Sequence, residues 1–349
     1  MIKKNIPTLL FFFMTLFCQS QIDRTLIPKA GPPPSIEIGD PIEFELENGL
    51  KVLLVENHKL PQVTARLILD NKPFPGDEKN GTYSMTSALL GKETKNFKNG
   101  KLTQKIDFLG ASFSVSAGGA FVNSLSKYFE EVLEMMADAI ISAKFSEKEF
   151  ENERNKIIEI INSNSKSVTQ IARRVERVLS FGKNHPSGKY VTEKTINNVN
   201  LEDVRVFYNQ NLMPNNAYLV IIGDFKAEEV KKLVIKLFKN WKKKTESNKN
   251  WNSSPEPNKL KIHFVDVPNA IQSEIVFQNK ISLKMNDPDY FPVIIANKIL
   301  GGAPEDRLEK QLREVKGYTY SARSSLGTSK YTKSRFRAYT STRFQVTDS

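Results

Sequence analysis

The side chains able to do chemistry in this chain are few and far apart. Three histidines, His58, His185 and His263, are spread over 349 residues. None has a partner at the i, i+3 or i, i+4 spacing that sets two imidazoles on one helix face for a metal. His58 follows a strand-like run, His185 lies in a His-Pro-Ser-Gly loop, and His263 alternates within an apolar run. A structural or solvent-exposed role is the expectation for each. The segment GTYSMTSALLGKET, from Gly81 to Thr94, carries the hydroxyls of Ser84 and Ser87. A serine nucleophile needs a base within hydrogen-bond reach and donors for an oxyanion. This segment places no histidine or lysine on their face, so small residues packing under a helix are the simpler reading. The run EFENERNKIIEII, from Glu149 to Ile161, brings Glu151, Glu153, Arg154 and Glu159 together. Finally, LREVKGYTY offers Arg313 and Tyr320. A guanidinium is a permanent charge with a fork of donors, and a phenol can donate toward developing negative charge. No constellation here supports a stand-alone hydrolase.

The elements that must carry these groups are readable from periodicity. A length of 349 residues sets a soft prior of two domains, and 39% hydrophobic with 26% charged residues allows a core in each. PIEFELENGLKVLLVEN alternates on both sides of Asn48-Gly49, a hairpin signal, and QVTARLILD reads as a third strand. Helices are expected over 81–90 and 101–109. ASFSVSAGGAFVNSLSK reads as a hairpin with Gly118-Gly119 at its turn. Helices follow over 128–142, 146–163 and 167–181, the second opening with a Ser146-to-Glu149 capping box. A helix over 201–212 precedes AYLVIIGD, a short strand expected to be buried on both faces. A basic-ended amphipathic helix follows over 227–241.

A polar linker with Pro255 and Pro257 then separates two units. The expected organisation is a signal over 1–20, a proline-rich arm over 21–40, a first domain over 41–242, a linker over 243–259 and a second domain over 260–349. In the second, KIHFVDV and SEIVFQN read as strands, 287–300 and 305–315 as helices, and TYSARSSLG with SRFRAYTSTR as a hairpin. The order echoes the first domain, and KIDFLGASFSVSAGG is answered by REVKGYTYSARSSLG. If the second half repeats the first, its last helices fall beyond Ser349. The fold class is α+β: two homologous sandwiches, each an antiparallel-rich sheet covered by helices, the second truncated.

MIKKNIPTLLFFFMTLFCQS at the N-terminus has two lysines, an apolar run and small residues, as an export signal does. Cleavage after Ser20 is the first reading. Lipidation at Cys18 is the alternative, disfavoured by the bulky Phe17 before it. The apolar run falls well short of the ~20 residues that cross a bilayer. Cys18 is the one cysteine, so no disulfide forms within the chain. The net charge is +12. Nucleic-acid binding would want clustered basic residues in a binding motif, and none is present. A basic, solvated surface is the first reading of the charge, and an acidic peptide or an anionic envelope surface is also compatible with it.

GTYSMTSALLGKET closely resembles the helix that carries H-x-x-E-H in the insulinase, pitrilysin and mitochondrial-processing-peptidase family. Further matches are ENGLKVLLVEN, EFENERNKIIEII, GKNHPSGKY, NLMPNNAYLVIIGDF and LREVKGYTY. Laid on the family pattern, the first His falls on Ser84, the catalytic Glu on Ser87 and the second His on Ala88. The third ligand, a Glu on a later helix, falls on Ile160. The neighbouring Glu159 would point about 100° away. Glu153 falls on a carboxylate that stands behind the ligands, or is a plain solvated helix residue. Zinc needs imidazole, thiolate or carboxylate ligands, so the resemblance implies a protease scaffold whose metal chemistry is deleted: no cofactor in this chain.

In two-chain relatives the metal-less subunit lends an Arg and a Tyr, in R-x-x-x-G-x-x-Y, to its partner's active site. Arg313 and Tyr320 match them. Their structural alternative is a capped helix end and a core tyrosine. Leu300-Gly-Gly302 matches a glycine-rich turn of those relatives, but the short acidic Ala303–Asp306 beside it puts substrate guidance in doubt. The resemblance implies the non-catalytic subunit of an exported, periplasmic or envelope-associated two-chain zinc metalloendopeptidase. Its partner would be a homologous chain that holds the zinc, and both would close on extended peptides. The alternative is a peptidase-derived binding or assembly protein with no part in proteolysis.

Overall fold

Alternating apolar and polar positions in the first half build a six-stranded sheet. Its strands are β1 (Ile42–Glu45), β2 (Lys51–Glu56), β3 (Gln62–Leu69), β5 (Ser112–Ser116), β6 (Gly119–Leu125) and β8 (Ala217–Gly223). A separate two-residue ladder pairs β4 (Glu93–Thr94) with β7 (Ala143–Lys144). The structure is a computed structural model that describes residues 31–32, 40–74, 76–244, 256 and 259–349. The expected signal, with Cys18, and most of the arm and linker lie outside the described residues.

The sheet order is β1-β2-β8-β3-β6-β5. β8 enters late in the chain and inserts between β2 and β3, parallel to the first and antiparallel to the second. Ala217, Leu219, Ile221 and Gly223 face inward, while Ile222 on the other face is exposed. The strand is therefore one-sided rather than buried on both faces. Its inner residues join Leu54, Val63, Leu67 and Val122 in a continuous apolar core. That core is closed by α3 (Phe129–Ile141), through Val132, Leu133 and Met136, and by α8 (Ala227–Phe238), through Val234 and Phe238. Each such side chain removed from water contributes about 1.5–3 kcal/mol.

Two turns differ in detail from their sequence reading. Asn48 is buried, and its amide donates to the carbonyls of Phe238 and Trp241 at 2.8 and 2.9 Å. The first hairpin loop thus also caps the end of α8. In the β5–β6 hairpin, Ser116 pairs with Gly119, so Ala117-Gly118 make the turn. Gly119 already belongs to the strand, at φ 138°, where a Cβ would sit 2.0 Å from the Leu67 carbonyl oxygen.

The remaining helices of this half are α1 (Thr82–Leu89), α2 (Lys101–Phe108), α4 (Glu147–Ser165), α5 (Val168–Phe181), α6 (Glu193–Asn197) and α7 (Leu201–Asn211). α1 and α4 pack through Met85, Leu89 and Phe150 against Ile196, Leu201 and Val204, a second apolar cluster. Ser146 caps α4 by accepting from the Glu149 amide at 3.4 Å, which is half of the expected capping box.

The second sheet holds β9 (Gln272–Ile281), β10 (Thr319–Leu326) and β11 (Ser334–Arg343) in the order β10-β11-β9. This is the antiparallel arrangement of β5-β6-β3 in the first sheet. The α+β class and the echo between the halves are therefore present as topology. KIHFVDV forms no strand: it runs unpaired, with Ile262 and Phe264 exposed. In the first sheet β2 is held by β1 and β8; among the described residues this segment has no such neighbours. α9 (Tyr290–Gly301) and α10 (Arg307–Glu309), continued by a π-helical turn over Lys310–Val315, lie against β10.

α5, although it precedes β8 in the chain, packs on β9. Thr169 donates to Glu274 at 2.7 Å and Ser180 to Gln278 at 2.9 Å. Buried Glu176 accepts from Arg337 at 2.9 and 3.0 Å, with Arg335 at 3.7 Å. Among the described residues no helix is long and apolar enough to cross a membrane.

Candidate functional site

α1 opens at Gly81, whose carbonyl accepts from the Met85 amide at 2.8 Å, and ends at the extended Leu90. Met85 and Leu89 commit one face to the core, which turns Ser84, Ser87 and Ala88 toward a half-buried face. Ser87 has a partner: its Oγ accepts from the Ala117 amide at 3.1 Å, latching α1 to the β5–β6 turn. Across from it on α4, Ile160 is 58% exposed and Glu159 is exposed as well.

The carboxylate that α4 does bury is Glu153. It accepts from Lys156 at 2.7 Å and lies 3.1 Å from Lys92. Burial alone would raise its carboxyl, but the two lysine hydrogen bonds outweigh burial and hold it below the usual carboxylate range. A plain solvated role for Glu153 is thereby replaced by a buried acid neutralised by two ammonium groups. Arg154 is spent on structure, bonding Glu151 at 2.7 Å and the Val199 carbonyl at 2.8 Å over the Phe150 ring. Ser84, Ser87, Ala88 and Ile160 do not fit zinc, since hydroxyl, methyl and butyl groups give it no anionic or imidazole ligand and its water no base. Among the described residues no group of three His, Cys, Asp or Glu side chains is placed to hold a metal.

The histidines stay apart. His58 bonds Asp224 through Nδ1 at 2.7 Å, and Asp224 also accepts from Ser126 at 2.9 Å. His185 is buried, stacks on Phe181 and accepts from the Ser187 amide at 3.1 Å; burial pushes its pKa down. His263 lies exposed in the unpaired segment.

Arg313 and Tyr320 stand at the helix-to-strand junction of the second region. Asp306 caps α10 by accepting from the Glu309 amide at 2.8 Å. The π turn then carries Arg313, and Gly317 at φ 62° ends it. A π turn is a local widening often kept where a side chain must be aimed. β10 next pairs Thr319 with Thr342 and Ala322 with Thr340, so Tyr320 and Ser321 face one residue, Ser341. This is a bulge, which redirects the side chains it carries. Tyr320 is 87% exposed and not part of a core. Arg313 is exposed too and donates one Nη1 bond, of 2.6 Å, to Glu309. Gly301 serves packing: a Cβ there would come within 2.6 Å of the Ser324 amide.

Lys92 and Glu309 were not singled out by sequence. Lys92 meets Glu153 from 61 residues away, and nothing local announces that (153 − 92). Asp306 three residues before Glu309 is a capping signature that could have been read.

The comparison with known proteins agrees with this architecture. The family model described as "Insulinase (Peptidase family M16)" matches residues 51–185, and that described as "Peptidase M16 inactive domain" matches residues 198–347. The chain belongs to the insulinase family, peptidase family M16. It is 22% identical to the uncharacterized zinc protease YmxG of Bacillus subtilis over 80% of this chain and 69% of that protein. Its fold is similar to a peptidase M16 inactive domain from Pseudomonas fluorescens, with a TM-score of 0.76 and 22% identity over 87% of this chain and 74% of that one. It is also similar to the periplasmic protease PqqL of Escherichia coli, with a TM-score of 0.67 and 17% identity over 88% of this chain and 36% of that one.

Proposed function

We propose that this chain is the non-catalytic subunit of an exported two-chain zinc metalloendopeptidase, positioning extended peptides for a homologous partner that holds the zinc. Tyr320 carries the reading. A tyrosine 87% exposed on a strand bulge, seven residues after an exposed arginine at a π turn, is available to a peptide held by a partner chain. Arg313 would bind peptide carbonyls and Tyr320 would donate to the oxyanion of the tetrahedral intermediate formed on the partner. The inactive-domain match over 198–347, which contains both residues, supports it. So does β5, whose outer edge ends the six-stranded sheet beside α1 and offers backbone groups to an extended peptide. The organisation into domains over 41–242 and 260–349 and an envelope location complete the proposal; PqqL, a fold neighbour, is described as periplasmic.

The test is peptide hydrolysis by the full chain, alone and co-expressed with a homologue bearing H-x-x-E-H. Alone it should be inert. Together the pair should cleave in a chelator-sensitive manner, and Tyr320→Phe or Arg313→Ala should lower the rate about a hundredfold. Zinc-dependent cleavage by this chain alone overturns the reading. A stable chain that lends activity to no such homologue favours the binding or assembly alternative.

A further inference from the structure

Resting on that reading of Arg313 and Tyr320, we infer that Glu309 is the positioning residue that fixes these two side chains relative to one another. Glu309 is buried, and both of its oxygens are used. Oε1 accepts from Arg313 Nη1 at 2.6 Å, one turn along the helix. Oε2 accepts from the Ala322 amide at 3.2 Å, on the far side of the bulge that carries Tyr320. One carboxylate thus ties Arg313 at the helix end to the strand at Ala322, two residues past Tyr320. Its own place is fixed in turn: buried Asp306 holds the Glu309 amide at 2.8 Å and lies 3.5 Å from Arg323, whose second nitrogen is 3.9 Å from Glu309.

Stability alone is a poor reason for this arrangement. An ion pair to an exposed arginine gains little in high dielectric, and an acid taken out of water costs several kcal/mol unless its partners are well placed. An apolar residue at position 309 would pack more cheaply. What the carboxylate adds is direction. It takes one of the five N–H donors of the guanidinium, and among the described residues the Arg313 guanidinium makes no other hydrogen bond, leaving the rest of the fork exposed.

A glutamine cannot replace it, because its amide has one acceptor oxygen and would set N–H against one of the two donors. The test uses the full chain, a fluorescein-labelled β-casein peptide read by anisotropy, and urea unfolding in parallel. Glu309→Gln should weaken peptide binding about tenfold, and Glu309→Asp, which keeps both acceptors, should stay within about threefold of the native chain. In an Arg313→Ala/Tyr320→Phe background, Glu309→Gln should cost no further affinity while its shift in urea midpoint persists. Equal loss in both backgrounds means a merely structural residue and overturns the inference. So does unchanged affinity in Glu309→Gln when the Arg313→Ala/Tyr320→Phe chain binds weakly. If that double variant binds as tightly as the native chain, the peptide-binding reading itself fails, and the role of Glu309 falls with it.

Discussion

The two sheets share a topology and differ in what they bury. Around the six-stranded sheet the interior is apolar and continuous, from Leu50 and Val122 through Leu133 to Phe238. Among the described residues of 259–349, Ala322 is the one buried apolar side chain. The buried places there go to Lys280, Asp306, Glu309, Ser324, Thr340 and Thr342, and Glu176 is buried against β11 by two arginines. Hydrophobic burial is strong and non-directional. Hydrogen bonds give about 0.5–1.5 kcal/mol net each and fix geometry. Among the described residues the first region is therefore held by apolar packing and the second by directional polar contacts.

The sharpest way to break this contrast is a pair of matched truncations. Phe238→Ala should destabilise by about 4 kcal/mol, since Phe238 is wholly buried. Phe277→Ala on β9, 59% exposed, should stay within about 0.5 kcal/mol. Equal shifts in urea unfolding would erase the distinction. Next comes the charged interior. Glu176→Ala leaves Arg335 and Arg337 facing each other without their acid and should cost about 3 kcal/mol. Replacing all three together by Leu and Met should be near neutral in the same assay, which would mark the network as specifying geometry rather than supplying stability. A smaller effect, about 1 kcal/mol, is expected for Ser146→Ala at the α4 cap, read by thermal unfolding.

The smallest effect is a pH dependence at the edge of the first sheet. The Asp224 hydrogen bond outweighs desolvation and raises His58 above its ordinary value of 6.5. The stabilisation it gives is complete below that unfolded value and is lost as pH rises through the raised folded value. The thermal midpoint of the native chain should therefore fall slightly just above pH 6.5, and His58→Gln should remove that part of the profile.

How legible was this in the sequence? The helices over 82–89, 129–141, 147–165 and 168–181 follow from 3.6-residue periodicity, and the starts of the last two from Ser146 and Ser167, local signals that need no tertiary partner. The strands of the first sheet before residue 126 were legible from two-residue alternation, whereas the short β4 was not. KIHFVDV was not, because alternation marks a strand only where a neighbour supplies the other half of the ladder. The exposure of Tyr320 was not legible either: an aromatic in a strand pattern reads equally as core until the bulge that turns it outward is seen.

By itself the sequence determined the α+β class, the hairpins, and the order in which Ser84, Ser87, Ala88, Ile160, Arg313 and Tyr320 stand along the chain. These are matters of residue type and near spacing. Only the tertiary structure decided that β8 would insert between β2 and β3, that Lys92 would reach Glu153, and that Glu309 would join Arg313 to Ala322. Each of those joins residues far apart in the chain or across two elements. Such contacts depend on how whole elements pack, which no local pattern encodes.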